Sequence, residues 1–555
     1  MDVNESENVE AENGVIQESA SDSSGQLPQR KLRWKWGLGI FLVGIGGIFY
    51  KWFQLSPDRT YQVFAVYLGI RNIVVGLLIW WLLISGVAWK TRFKGLLGTV
   101  LFFVFFFSLL RVESFEGDMV PRFRFRFLPT LEQRAEKYFE QTENNSAANV
   151  DNTEVTLNVS PGDWPAYRGA SRDGVVRDQK IRTNWKAEPP PLLWKHPVGS
   201  GWGSFSIVSD RAFTQEQRGE KEFVVCYDAL TGKQIWTHHD NVRFTEILGG
   251  VGPRATPTFH DGLIYSMGAT GILNCLKAVT GELVWSKDLL KKGGLKNLQW
   301  AMSGSPLVWE DLVIVNQGIQ KGDSANQSAI AFDRLTGEEV WSSGTQKSSY
   351  SSPQLSMIGG QPQLLIFHSK GLEGFTPDEG KSLWFYPWTN HAGVNAAQPI
   401  VVGTSSIFLG AGYGSGSARI TISHAKEVGA ESEVVPDWNS KSLKLKFNSA
   451  VVRDGFVYGL DEGVLTCLDL TTGNRVWKKG RYGYGQMILV EDQLLILAED
   501  GRVEVVKADP ESYVQVATFQ AIEGQTWNHP ALAQGRLFVR NSEEAACYDI
   551  SSASK

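Results

Sequence analysis

Apolar positions in this chain follow two different rhythms. Between residues 37 and 110 they form three long runs, at about Gly37–Phe53, within Val63–Trp89 and at about Gly95–Leu110. Runs of this length predict membrane-crossing helices, the first and third near the lower limit. From residue 192 the rhythm becomes short apolar strands separated by polar turns. One element recurs five times: a small residue, Gly six places on, Trp four places beyond. The copies are CYDALTGKQIW (Gly232, Trp236), CLKAVTGELVW (Gly281, Trp285), AFDRLTGEEVW (Gly337, Trp341), GFTPDEGKSLW (Gly380, Trp384) and CLDLTTGNRVW (Gly473, Trp477). Each predicts strand, tight turn, strand. Gly supplies the positive φ that a short turn needs, and Thr and Asp beside it favour turn hydrogen bonds. A Trp at a fixed place in each copy predicts packing between neighbouring sheets.

The glycines are spaced by 49, 56, 43 and 93 residues, the last gap being two units with a degenerate copy at about Ala397–Trp438. A four-stranded unit of this length is the propeller period. Eight units open on a small or polar residue, an apolar strand, a polar turn and a second apolar strand. They begin at SFSIVSDRAF (204), ATPTFHDG (255), GSPLVWED (304), SSPQLSMI (351), AQPIVVGT (397), NSAVVRDG (448), GQMILVED (485) and HPALAQGR (529). The last unit ends at CYDIS without a Trp strand, and an unpaired Trp strand, PPLLWKHPV with Trp194, stands before the first. Pairing the two closes a ring and removes both free edges. The expected fold is therefore an all-β, eight-bladed propeller over 192–551, preceded by an α-helical transmembrane region.

Charge refines the organisation. Residues 1–29 are polar and acidic with no base before Arg30, which predicts a disordered tail rather than a signal peptide. Arg30, Lys31, Arg33 and Lys35 precede the first run, Lys90, Arg92 and Lys94 follow the second, and only Lys51 and Arg59 lie between. By the positive-inside rule the N-terminus is cytoplasmic, and three crossings put the propeller outside. Arg111, Arg122, Arg124 and Arg126 run against that assignment. Arg71 and Asn72 interrupt the second run, either as a functional intramembrane pair or because the helix starts near Ile73 and Arg71 snorkels. The expected domains are the tail at 1–29, the membrane region at 30–111, a stalk or linker at 112–162 with a short amphipathic helix at Leu131–Glu140, and the propeller domain at 163–555.

Composition adds exclusions. A net charge of −5 gives no support to a nucleic-acid partner. Cys226, Cys275, Cys467 and Cys547 occupy one position of four different units, a place for a small buried residue rather than a disulfide or metal ligand. His238-His239 follows a Trp on an outer strand and reads as solvent-facing. GYGSGS (412–417) has no following helix to make a phosphate site. No P-loop, HExxH or haem-attachment motif is present. In a propeller, residues just before each unit's first strand reach the channel mouth. The candidates are Trp202, Arg254, Trp300, Tyr350, Asn395, Asn448, Tyr484, Trp527, Asn528 and His529. They suit an anionic or aromatic ligand, or else satisfy one another and buried water.

DWPAYRGASRDGV (163–175), the five Gly-to-Trp turns, the GSPLVWEDLVIV opening and the TWNHPALAQGRLFVRNSEEAACYDI ending resemble quinoprotein-type propellers. More narrowly they resemble membrane-tethered bacterial PQQ-like β-propeller repeat proteins, and more distantly the propeller lipoprotein of the Bam complex. The resemblance implies the fold over about 163–551. Its enzymatic members hold pyrroloquinoline quinone and Ca²⁺ beside an adjacent cysteine pair, with carboxylate and amide oxygens on the metal. This chain has no adjacent Cys pair and no matching cluster of Glu, Asn and Asp, so no cofactor or metal is expected outside that alternative. The expectation is a binding or scaffold module of the bacterial cytoplasmic membrane, its propeller periplasmic, for a protein or small-molecule partner. The alternatives are a divergent quinoprotein dehydrogenase passing electrons to the membrane, and an accessory subunit whose membrane helices contact a partner.

Overall fold

A computed structural model describes residues 32–54, 59–143, 156–292, 294–318, 327–423 and 432–552. The tail expected at 1–29 lies outside the described residues. The chain divides into two compact units.

The first unit holds three helices long and apolar enough to cross a membrane: Trp34–Gln54, Arg59–Ile84 and Trp89–Leu109. The second closes with a π-helical turn, Trp80–Ile84. The first two meet where glycine leaves room: a Cβ on Gly44 would lie 2.2 Å from Ile73, and one on Gly69 equally close to Ile48. Small residues allow such approach where lipid offers no hydrophobic drive for helix association. The second helix starts at Arg59 and runs through Arg71 and Asn72 unbroken, which corrects the expected start near Ile73. Neither residue forbids helix; their side chains bond each other on its exposed surface at 3.3 Å.

In the second unit the described residues form eight blades, each of four antiparallel strands, the seventh extended by a short parallel strand, Val175–Val176. Blades 1 to 7 span 206–240, 258–288, 307–343, 354–387, 400–440, 451–481 and 486–520. Blade 8 joins 531–549 to the strand Leu192–Pro197, with Cys547 opposite Trp194, so the ring closes as the unpaired Trp strand predicted. The repeat works between blades. In one copy Gly and Trp do not serve each other; each Gly receives the Trp of the preceding blade. A Cβ on Gly232, Gly281, Gly337, Gly380 or Gly473 would fall 2.5–2.7 Å from Trp194, Trp236, Trp285, Trp341 or Trp438 respectively. Each indole N–H donates to a main-chain carbonyl of that next blade: Trp194 to Ala229, Trp236 to Ala278, Trp285 to Arg334, Trp341 to Pro377 and Trp438 to Leu470. The degenerate unit thus keeps its Trp and loses its Gly turn. Trp384, facing that unit, donates instead to Gln363 Oε1 within its own blade.

The cysteines sit opposite these tryptophans, Cys226 across from Trp236, Cys275 from Trp285 and Cys467 from Trp477. All four are buried free thiols. A small residue there makes room for the ring.

The segment read as a linker at 112–162 contains ordered elements. Strands Leu110–Phe115 and Pro121–Phe125 form a hairpin, and helix Leu131–Glu143 follows. Thr130 and Gln133 make a reciprocal capping box at the helix start. The helix docks on blades 8 and 1 through Arg134–Glu543, Arg243–Glu132 and the Phe139 ring, which lies 3.4 Å under the Arg218 guanidinium.

Candidate functional site

The chain enters each blade in extended form, and extended chain alternates its side chains. Counting back from the first strand residue, the second position builds a belt around the axis. Ser204 N–H donates to Thr256 Oγ1, Thr256 N–H to Ser305 Oγ, Ser305 N–H to Ser352 Oγ, Ser352 N–H to Gln398 Oε1 and Gln398 N–H to Ser449 Oγ, at 2.8–3.1 Å. Gln486 Nε2 continues the belt to the carbonyls of Phe447 and Trp527, and Ser204 Oγ closes it onto the His529 carbonyl. The polar residue noted at each unit's opening is therefore the tie between blades.

The fourth position back, on the same side of the strand, faces the axis. Trp202, Arg254, Ser303, Tyr350, Ala396, Phe447 and Trp527 occupy it in seven of the blades and line a cavity of about 220 Å³. Trp300, Tyr167, Tyr413, Lys446 and His529 also line it. Of the sequence candidates, Trp202, Arg254, Trp300, Tyr350, Trp527 and His529 reach the cavity. Asn395, Asn448 and Asn528 fall on the opposite parity and work as loop ties, donating to His368 O, Leu460 O and Gly203 O. Tyr484 is buried under the hairpin turn, its hydroxyl donating to Asp118 Oδ1 at 2.9 Å.

Both ends of the cavity are covered by chain from outside the blades. At the mouth sits the hairpin turn. Gly117 N–H donates to Glu499 Oε1 and its carbonyl accepts from Lys446 Nζ, both at 2.9 Å. Gln525 Nε2 donates to the Phe115 carbonyl. A Cβ on Gly117 would fall 1.9 Å from Tyr484, so only glycine fits there. Glu116, Gly117 and Met119 form the cavity roof. The inner strands run away from the mouth, and segment 163–176 meets their far ends, Trp164 pairing with Ile207 and Val175–Val176 with Leu489–Val490. Its Arg172 donates to the carbonyls of Ser305 and Pro306. Arg168 donates to the Ala450 carbonyl and approaches His529 Nε2 at 3.3 Å.

The electrostatics are cationic and aromatic. Arg254 donates to the carbonyls of Gly249, Gly250 and Gly252. Among the described residues no carboxylate lies in ion-pair range of it, and burial pulls its guanidinium down to about 10. Lys446 Nζ lies over the Tyr484 ring at 4.7 Å. Trp202 and Trp527 rings sit 4.8 Å apart, Phe447 5.0 Å from Trp527, and Trp300 5.7 Å from Tyr350. Burial pushes the Tyr350 phenol up to about 12. Burial, then the Arg168 charge, holds the His529 imidazole down at about 3, so it is neutral. Burial and the nearby Glu499 raise the Glu116 carboxyl. Gln486 lines the cavity with its amide nitrogen committed to two carbonyls, and among the described residues its buried Oε1 has no partner.

Sequence reasoning missed Lys446, Phe447, Tyr413, Tyr167 and the hairpin. A parity count from each first strand would have found Phe447. The Gly-Asp-Met-Val-Pro turn between two alternating runs, LRVESF and PRFRFRF, was the hairpin's signal.

A family model described as outer membrane protein assembly factor BamB matches residues 220–479. No curated protein sequence matches the chain. Among solved structures, BamB from Moraxella catarrhalis is similar at 13% identity and TM-score 0.47, over 66% of this chain and 99% of that one. Quinohemoprotein alcohol dehydrogenase from Comamonas testosteroni is similar at 12% identity and TM-score 0.50, over 72% and 82%. A europium-containing methanol dehydrogenase is similar at 13% identity and TM-score 0.52, over 70% and 91%. At such identities the likeness to the two dehydrogenases is one of fold. With the family match over residues 220–479, it supports a PQQ-like propeller fold with a distant resemblance to BamB.

Proposed function

We propose that this protein is a membrane-anchored binding module that holds a small planar anion in the axial cavity of its propeller. The observation that carries the reading is Arg254, a half-buried guanidinium whose hydrogen bonds, among the described residues, go to carbonyl oxygens, facing a cavity walled by Trp202, Trp300 and Trp527. Glu222 and Glu246 act on it from outside ion-pair range, and an anion in the cavity would bring a charge partner into contact. The flat rings suit a flat ligand, and Gln486 Oε1 would accept one hydrogen bond from it. Loop charge supports an N-terminus in the bacterial cytoplasm and a propeller in the periplasm. Loop faces around the cavity leave room for an envelope protein partner as well.

The rival is quinone- and calcium-dependent oxidation, for which the fold provides the precedent. The donor set favours binding alone. Ca²⁺ takes about six to eight oxygens. Glu116 is the one carboxylate in the described cavity wall, and the belt already uses the hydroxyls of Thr256, Ser305 and Ser352 as acceptors. Among the described residues no group of three or more His, Cys, Asp and Glu could hold a metal.

The test is titration of the detergent-purified full chain with benzoate, 2-naphthoate and pyrroloquinoline quinone, read by tryptophan fluorescence. At least one should give saturable quenching. Arg254→Gln should weaken it about 10- to 150-fold, the worth of a hydrogen bond to a charged group. Equal affinity in the variant, or no binding of any of the three, would refute the reading. Alcohol turnover with quinone and Ca²⁺ would establish the rival.

A further inference from the structure

The hairpin Leu110–Phe125 is amphipathic the wrong way round for water. Its register places Leu110 opposite Phe125 and Val112 opposite Phe123 on one face, with Arg111 opposite Arg124 and Ser114 opposite Arg122 on the other. The apolar face is the open one: Val112 is 49% exposed, Phe123 51%, Phe125 46%, and Phe127 just beyond is 75%. The arginine face is half-buried, with Glu113 within 3.0 Å of Arg124 and 3.9 Å of Arg111. Phe125 and Phe127 stack at 5.1 Å and extend the apolar stripe past the strand. A continuous open stripe of this kind marks a surface built for a non-aqueous neighbour.

We infer that this stripe docks into the lipid surface at the boundary between headgroups and acyl chains. The place of the hairpin in the chain identifies the neighbour. Helix Trp89–Leu109, of membrane-crossing length and composition, ends one residue before the hairpin begins. At about 3.3 Å per residue Val112 lies within about 10 Å of that end, and the interfacial layer is itself about 5–8 Å deep. Aromatic side chains concentrate in this layer. The hairpin is a sheet of two strands only, so among the described residues its outer edges join no further strand. Such edges belong where water and headgroups can reach them, and that depth fits a hairpin lying in the interface rather than crossing it. Arg122, Arg124 and Arg126 then lie beside lipid phosphates, which guanidinium groups pair with well. Their presence after the third helix, contrary to the loop-charge rule, has a physical reason on this account. The turn of the same hairpin roofs the cavity, so the element that meets lipid on this account is also the one that covers the site.

The inference rests on membrane anchoring, and the experiment separates the two. The full chain carrying Phe127→Cys is labelled with bimane; the four native thiols are buried and stay unlabelled. A second sample carries the label at Leu230→Cys, an exposed turn position of blade 1. Both go into nanodiscs of equal parts phosphatidylcholine and phosphatidylglycerol, with or without brominated acyl chains. Bromine should cut emission at 127 roughly twofold or more, as for a side chain seated at the acyl boundary, and leave 230 unchanged. Phe123→Cys should behave like 127. Incorporated protein in which 127 and 123 are no more quenched than 230 would overturn the inference and leave the anchoring intact. Failure of the chain to incorporate would overturn both.

Discussion

Gly281 and Gly262 lie in the same blade with φ of 73° and 74°, and they differ in their surroundings. A Cβ on Gly262 meets nothing within 4 Å, whereas one on Gly281 lands 2.5 Å from Cε3 of Trp236. Alanine at either place must take left-handed backbone, at about 1–2 kcal/mol. Only at Gly281 must an indole also yield. Trp236 is held by its bond to the Ala278 carbonyl and by the Phe213 ring 5.9 Å away, so the clash adds about 1–3 kcal/mol of overpacking. Gly262→Ala should therefore cost about 1–2 kcal/mol and Gly281→Ala about 2–5. Trp236→Ala alone should cost about 3–5 kcal/mol. In the double variant the clash has no partner, so the sum should fall short of additivity by about 1–3 kcal/mol. The assay is guanidinium unfolding of the full chain in detergent, followed by near-ultraviolet circular dichroism and compared at constant slope. Equal losses at the two glycines, or an additive cycle, would refute Trp-into-Gly docking as the blade-to-blade bond.

Three further outcomes are expected. Burial pushes the thiols of Cys275, Cys467 and Cys547 up to about 12 and raises that of Cys226 well above its ordinary value, so none should react with Ellman's reagent at pH 8 until the chain unfolds; fast reaction of any one would contradict the packing role. His529 titrates at about 3 when folded against about 6.5 unfolded, so the unfolded chain takes up the proton first. Its stabilising share is complete above about pH 6.5 and is lost as pH falls towards 3, by at most about 1.4 kcal/mol per pH unit; His529→Asn should flatten that slope, and an unchanged slope would count against the assignment. Glu499 accepts from Gly117 N–H, Tyr484 N–H and Trp527 Nε1, so Glu499→Gln should speed hydrogen exchange at residues 116–119 about 10- to 150-fold, and unchanged exchange would show that the roof does not depend on it.

The ring was legible because docking between blades demands the same residues at the same places. Gly281 and Trp236 must recur together, and they do so in linear sequence. Blade 5 was only half legible. Trp438 kept its bond to Leu470, but the chain before it no longer carries the short Gly turn. The cavity was partly legible for a different reason. Residue type marked Asn448 and Asn528 as polar, but only strand parity decides which side chains face the axis, and these two sit one place off. The roof was least legible. Gly117 reads as an ordinary turn glycine, and its need to be glycine comes from Tyr484, hundreds of residues away. Contacts of that kind leave no local periodicity.

Closing the last blade with Leu192–Pro197 also imposes an order of events during synthesis. Trp194 leaves the ribosome 353 residues before Cys547, the residue it will face. At typical elongation rates that is roughly 20–70 s. Throughout this interval the early strand has no sheet to join, and the newest blade always presents an open edge to the surroundings. Every truncated product shares that edge, since a ring lacking its final strands cannot capture its first. Translation arrest or premature termination therefore yields species prone to pairing with one another, and the finished ring appears in a single late step that needs both ends of the propeller at once.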